Sequence, residues 1–256
     1  MMNEKIIYKN NPLTEVILQV KFPTILSINV KEPADFQEAI RKEFPIYNVD
    51  SENQSEIVLQ DINKQFTPAV KNFRQKNYVF IAESGTTKIN LTSNFISIST
   101  LKYNSWETFI NDFSKPLNAF IDIYKPAFFE RIGLRYIDVY SREKLNLVGI
   151  QWRELIKNHL LGILSEMDEN KVEFSSINTE YLLDDNLSRA KINAGLGISN
   201  DNNEKVFVID SDFMYISILH AGMINKTVNY LHDNAKKFIE GAITEKLKMA
   251  LKPEII

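Results

Sequence analysis

Apolar and polar residues alternate with a period of two in two prominent segments, and this alternation is typical of strands buried on one face. In segment 14–22 the apolar positions recur at every second residue from Val16 onward. In segment 129–140 three apolar residues share one predicted face: Ile132, Leu134 and Tyr136. We therefore predict a strand in each segment, with its apolar face against a core.

Elsewhere the apolar residues recur in steps of three and four, which is the spacing of an amphipathic helix. This pattern runs through segments 106–124, 152–164 and 223–251. Ser105 directly precedes the first of these segments and is a residue type preferred at helix N-termini. The sequence therefore predicts three longer helices, and a further short helix begins near residue 34.

The predicted elements follow the same order in the two halves of the chain. Each half reads strand, helix, three to four strands and long helix, over residues 1–126 and then 127–256. This order favours an α+β fold of two pseudo-repeated β-α-β(3-4)-α units, TATA-binding-protein-like or helix-grip-like, packed as one compact body. We expect a curved antiparallel sheet with the long helices on one face.

Composition and charge narrow the classes of function. Apolar residues make up 44% of the chain and charged residues 25%, as in ordinary globular proteins. The net charge of −3 disfavours nucleic acid as a partner, because affinity for nucleic acid comes largely from phosphate neutralisation. The chain has no cysteine, and the sequence shows neither a signal-peptide core nor an apolar run that could span a membrane. We expect a cytoplasmic protein.

The second face of the strand predicted at 129–140 carries Arg131, Gly133 and Arg135. Two arginines on one face can hold a carboxylate or phosphate by bidentate hydrogen bonds. The strands at 14–22 and 129–140 begin equivalent halves, so we expect them to be neighbours at the centre of the sheet. Glu15 then shares a surface with the arginines, and the predicted ligand site is Glu15, Arg131, Gly133 and Arg135.

A purely structural role for the two arginines is the alternative. Glu15, Glu130 or Asp138 would then neutralise them as cross-strand pairs. In the same way, Gly133 either lets a ligand approach the backbone closely or marks a bulge. The sequence leaves both alternatives open.

Other candidate groups form no complete catalytic set. Asp210 and Asp212 end a strongly apolar strand, where carboxylates can hold a metal ion but more often close a turn. The three histidines, His159, His220 and His232, lack the spacing of a metal site. We predict no catalytic residue, no metal site and no cofactor, with Asp210 and Asp212 as the lesser metal candidates.

Three parts of the chain carry a family resemblance: Asn11-Pro12-Leu13-x-Glu15-Val16, Arg131-Ile132-Gly133-Leu134-Arg135-Tyr136, and Asp210-x-Asp212 before a long helix. In these motifs the chain resembles a family of functionally uncharacterised proteins of about this length, found sporadically in bacteria and archaea. The family has no assigned activity, so the resemblance implies no catalytic residue. Its patchy distribution is typical of genes in antiviral defence or toxin–antitoxin-like loci.

Three hypotheses of function follow from these observations. The first is a non-enzymatic binding or regulatory module that recognises a small anionic ligand or a partner protein encoded nearby. The second is a metal-dependent enzyme acting on nucleotides or nucleic acid through Asp210 and Asp212. The third is a nucleic-acid-binding saddle, which the element order favours and the negative charge disfavours. A homodimer is compatible with all three.

Overall fold

The computed structural model of the chain describes residues 6–62 and 65–255. It is an α+β structure with one large antiparallel sheet, as the sequence predicts. The strands are β1 (Ile6–Tyr8), β2 (Leu13–Lys21), β3 (Ile46–Ile62), β4 (Gln65–Ile81), β5 (Thr87–Leu91), β6 (Phe95–Thr100), β7 (Arg131–Tyr140), β8 (Ser176–Leu182), β9 (Ser188–Ile198), β10 (Lys205–Tyr215) and β11 (Pro253–Ile255). The α-helices are α1 (Leu26–Val30), α2 (Ala34–Ile40), α3 (Trp106–Tyr124), α4 (Ile224–Ala242) and α5 (Glu245–Ala250).

Nine strands form the main sheet in the order β3-β4-β5-β6-β2-β7-β10-β9-β8. The central neighbours are β2 and β7, which pair antiparallel with Leu18 opposite Leu134. The expectation that these two strands meet at the centre is therefore confirmed. Four strands lie on the β2 side and three on the β7 side. The remaining strands, β1 and β11, form a separate two-stranded sheet that joins the two ends of the described chain.

The core lies on the face of the sheet that α3 and α4 cover. From Val16 onward in β2, and along all of β7, the even-numbered residues point to this face and are buried, among them Val16, Leu18, Ile132 and Leu134. The helix α3 adds the buried rings of its apolar stripe, and its Phe120 ring lies 4.4 Å from the Phe22 ring. Burial of each such side chain stabilises the fold by about 1.5–3 kcal/mol, so this face organises the domain.

The predicted helix at 152–164 is wrong. The segment forms three short 3₁₀ turns instead, at Trp152–Glu154, Asn158–Leu160 and Gly162–Ser165. Residue Ile156 makes an isolated β-bridge with Ile243, and the Lys157 amide donates to the Ala242 carbonyl at 2.9 Å. These bonds to a distant segment replace the bonds that a helix would make along itself, although the apolar side chains are buried as the pattern requires.

The same bridge divides the predicted helix at 223–251. The helix α4 ends at Ala242 because Ile243 is extended and pairs with Ile156. A new helix, α5, then begins after Thr244, whose hydroxyl accepts a hydrogen bond from the Leu247 amide. Within residues 6–62 and 65–255, no helix is long and apolar enough to cross a membrane.

Candidate functional site

The predicted arginine site lies on the face of the sheet opposite α3 and α4. Across the central strands, Gln19 lies opposite Gly133, and Ile17 lies opposite Arg135. Glu15 lies opposite Ile137 on the same face. The structure therefore places Glu15, Arg131, Gly133 and Arg135 on one surface, as the sequence predicts.

Arg131 reaches its partner by lying across Gly133. Its Nη2 donates to Asp212 Oδ2 at 2.7 Å, and its Nη1 donates to Gln19 Oε1 at 3.2 Å. A Cβ atom on Gly133 would lie 2.3 Å from Arg131 Nη1, closer than real atoms approach. The glycine thus makes room for the guanidinium of its own strand; whether it also admits a ligand stays a prediction.

Arg135 forms a two-pronged ion pair with Asp210. Its Nε and Nη2 donate to the two carboxylate oxygens of Asp210, each at 2.6 Å. This pairing raises the pKa of the Arg135 guanidinium. The two candidate sets, arginines and aspartates, are therefore one surface cluster of four alternating charges.

The partners of the arginines differ from the ones that the sequence predicts. They are Asp210 and Asp212 of β10, while Asp138 lies on the opposite face because side chains alternate along a strand. An anion at this site would have to compete with two carboxylates already in place. In the part of the chain that the structure describes, no group of three or more His, Asp or Glu side chains is arranged to hold a metal ion.

A cavity of about 410 Å³ lies on the other face of the sheet, the one that carries the helices. Strands β7 and β10 form its floor, and α4, the start of α3 and the β1 segment form its walls. The residues that line it include Ile7, Tyr8, Asn11, Leu13, Tyr103, Trp106, Glu107, Tyr136, Asp138, Ser211, His232, Asp233, Ala235, Lys236, Ile239 and Glu240. Its volume falls in the range that is typical of small-molecule sites.

Asp138 is the most unusual residue of this cavity. It is only 4% exposed, and it lies on the core face of β7 in a row that is otherwise apolar or aromatic. Among the residues that the structure describes, none donates a hydrogen bond to its carboxylate. Burial raises the pKa of this carboxyl to about 7, because water no longer stabilises the charge.

A second buried polar group lies near Asp138. The Tyr140 hydroxyl is buried and has no hydrogen-bond partner in the described residues. Its pKa is raised well above the usual range, first by burial and then by the nearby charges of Asp138 and Tyr8. The Tyr140 hydroxyl lies behind the cavity lining, and a buried polar group of this kind costs stability when it stays unpaired.

One wall of the cavity is a chain of aromatic residues held by hydrogen bonds. The Tyr136 hydroxyl and His232 Nδ1 are 2.8 Å apart. The His232 ring stacks on the Trp106 ring with centroids 4.1 Å apart, and Trp106 Nε1 donates to Asn229 Oδ1 at 2.9 Å. Burial lowers the pKa of His232 to about 4, so the ring is neutral at pH 7.

The sequence contained a signal for this cavity. Asp138 falls on the even-numbered face of segment 129–140, with Ile132, Leu134 and Tyr136, so the period of two already placed a carboxyl among core residues. From the sequence alone, Asp138 is predicted only as a possible partner for the arginines of the other face. The packing of His232 against Trp106 had no sequence signal, because α3 and α4 are brought together only by the tertiary fold.

No protein-family model matches this chain, and no curated protein matches it. Inferences about function therefore rest on the geometry of the arginine face and of the cavity.

Proposed function

We propose that this protein is a non-enzymatic binding module that holds a small molecule in the cavity between the sheet and helix α4. The observation that carries the proposal is the Asp138 carboxyl, which is buried on the cavity floor without a hydrogen-bond partner in the described residues. An unpaired buried carboxyl destabilises the fold. A bound molecule that pairs with it would remove that cost, which makes the cavity a site rather than a packing gap.

The wall geometry supports the same proposal. The contacts among Tyr136, His232 and Trp106 hold three rings in fixed positions at the edge of the cavity. A site that is formed before the ligand arrives loses less entropy on binding. The wall is therefore suited to hold a ligand without rearrangement.

A ligand-observed NMR screen of a small-molecule library tests the proposal. We expect some ligands whose NMR signals respond to the wild-type protein but not to Ala235→Met. Ala235 is buried on the cavity wall, so the longer methionine side chain would fill the space that the ligand needs. The matched control is Ala34→Met, at an exposed position of α2. The proposal is refuted if no ligand binds, or if every ligand binds the wild type, Ala235→Met and Ala34→Met equally well.

The same screen separates binding from catalysis. A carboxyl with a pKa near 7 is suited to general acid–base chemistry as well as to binding. A bound ligand whose NMR signals stay unchanged over a day fits a binding module. New product signals that disappear in Asp138→Asn would identify an enzyme.

We also propose that the arginine face recognises a partner, either a protein encoded nearby or a small anion, through Glu15, Arg131, Gly133 and Arg135. Alternating charges on an open sheet face can fix the orientation of a protein partner. Capture of neighbouring gene products by the tagged protein tests this, with Arg131→Ala, Arg135→Ala as the variant. If the double variant folds and captures the same partners, the proposal fails.

The two other hypotheses have less support. A metal at Asp210 and Asp212 would have to displace the arginines that now hold these carboxylates. Nucleic acid would meet a face on which the same two aspartates neutralise the same two arginines. Both hypotheses stay predictions, which a melting-temperature scan with Mg²⁺ or Mn²⁺ and a gel shift with DNA or RNA would test.

The finer account of the fold is likewise a proposal. Two pseudo-repeated units, TATA-binding-protein-like or helix-grip-like, with a boundary near residue 126, are supported by the strand order, in which β2 and β7 lead equivalent series on either side of the centre. The 3₁₀ turns after β7 set the second half apart from the first. The cytoplasmic location and the link to antiviral defence or toxin–antitoxin-like loci stay predictions.

A further inference from the structure

We infer that the cavity ligand is a small organic cation whose charge lies against the Asp138 carboxylate. This inference rests on the binding function proposed above and names the chemical class of the ligand. It differs from the anion that the arginines of the opposite face predict.

The charges of the lining favour a cation. Among the residues that the structure describes, the lining carries the carboxyl groups of Asp138, Asp233 and Glu240 and the ammonium of Lys236. Lys248 lies near Tyr8 as well, but its ammonium donates to Glu245 at 3.2 Å. His232 adds no positive charge at pH 7. An anion entering the cavity would meet a carboxyl at its floor, whereas a cation would gain a charge-assisted hydrogen bond there.

The walls fit the same class of ligand. Four aromatic residues line the same cavity as Asp138: Tyr8, Tyr103, Trp106 and Tyr136. The faces of such rings attract cations, and the attraction is stronger in a site that excludes water. Leu13 and Ile239 add apolar surface for a hydrocarbon part of the ligand. We therefore expect an amine or related cation with an apolar or aromatic body.

Three probes with similar bodies and different charges test the inference. Phenethylamine carries a positive charge at pH 8, 2-phenylethanol is neutral, and 3-phenylpropionate is negative. Titration calorimetry at pH 8 measures the affinity of each for the full chain. We expect the amine to bind about 10- to 100-fold more tightly than the carboxylate, with the alcohol between them, because a hydrogen bond to a charged group favours the amine by that factor.

The variant Asp138→Asn keeps the shape of the side chain and removes its charge. We expect it to lower the affinity for the amine about tenfold or more and to change the affinity for the alcohol little. Asp122→Asn, at an exposed position of α3, is the matched control and should leave all three affinities unchanged. If Asp138→Asn does not fold, Glu240→Gln on the exposed rim should produce a smaller loss in the same direction.

The outcomes separate the inference from the proposal on which it rests. If the alcohol or the carboxylate binds as tightly as the amine, or if Asp138→Asn binds the amine normally, the inference is overturned. The binding function then stands, provided that Ala235→Met still displaces the probe. If none of the three probes binds a correctly folded chain, the inference is overturned, and the library screen with Ala235→Met decides separately whether the proposed binding function stands.

Discussion

The charged residues on the two faces of strand β7 have opposite environments. On the open face, Arg131 and Arg135 are each paired with a carboxylate of β10. On the covered face, Asp138 is buried and no described residue pairs with it. Partly exposed charges are inexpensive and find partners within the sheet, whereas a single buried carboxyl is costly. The unpaired charge therefore gives more information about function than the paired ones.

The largest effect that we expect comes from removing the buried charge. The native carboxyl of Asp138 has a pKa of about 7 instead of the usual 3.8, so the native state binds more protons than the unfolded state between these values. The stability of the wild type therefore falls as pH rises from about 4 to 7, by up to about 4 kcal/mol. The free energy of unfolding of Asp138→Asn should not fall over this pH range.

Urea unfolding across pH 4–8 measures this difference. The two proteins should have similar stability near pH 4, where the carboxyl is neutral, and the variant should be more stable at pH 8. Asp122→Asn controls for the loss of an exposed acidic group. A constant difference between wild type and Asp138→Asn at all pH values would contradict the account of the covered face.

The next effect has the opposite sign and belongs to the same cavity. Burial lowers the pKa of His232 to about 4, so the unfolded state binds more protons between pH 4 and 6.5. The histidine therefore destabilises the wild type as pH falls through this range, by up to about 3 kcal/mol. His232→Gln should remove that dependence in urea unfolding. The prediction fails if the slope of stability against pH is unchanged by the substitution.

A smaller effect is expected on the open face. Gly133→Ala would place a Cβ where the Arg131 guanidinium lies and would push it away from Asp212. Because the far end of the arginine can move, we expect a loss of about 1 kcal/mol or less in urea unfolding. Asp212→Asn should then cost little more in the Gly133→Ala background. Full additivity of the two substitutions would show that they act independently.

The smallest effect concerns Arg135, whose side chain is 44% exposed. Arg135→Lys replaces a two-pronged pair with a single point charge, and we expect a loss of no more than about 0.5 kcal/mol. The difference should shrink further in high salt, because salt screens exposed charges. If Arg135→Lys lowered the free energy of unfolding as much as ionisation of Asp138 is predicted to, the contrast between the two faces would be contradicted.

Local patterns explain which parts of the structure the sequence could predict. The period of two placed Val16 and Leu134 correctly on the covered face, and the step of three and four predicted α3 within its observed limits. The helix at 152–164 could not be rejected from its pattern, because the bridge between Ile156 and Ile243 depends on a contact between distant segments. The spacing of apolar residues predicts which side chains are buried, but the partners of the backbone hydrogen bonds depend on the tertiary fold.

The candidate sites show the same limit. The shared face of Arg131 and Arg135 follows from their spacing alone, and the structure confirms it. Their partners could not be assigned, because the register between β7 and β10 is fixed by the whole sheet. The cavity depends on Trp106 and His232, which lie on different helices and meet only after packing. The sequence prediction considered Asp138 only as a partner of the arginines, although its even number puts it on the same face of the strand as Leu134 and Tyr136.

The central pairing of β2 with β7 has a consequence for how the chain folds. The Thr14 hydroxyl donates to the carbonyl of Ile137, which is 123 residues further along the chain. Closing so long a loop is entropically costly, and sheets built from distant pairings fold slowly. During synthesis, β2 has to wait with one edge open until β7 emerges, and an open edge is where chains aggregate. The middle of the sheet thus stays incomplete until about half of the chain has been synthesised.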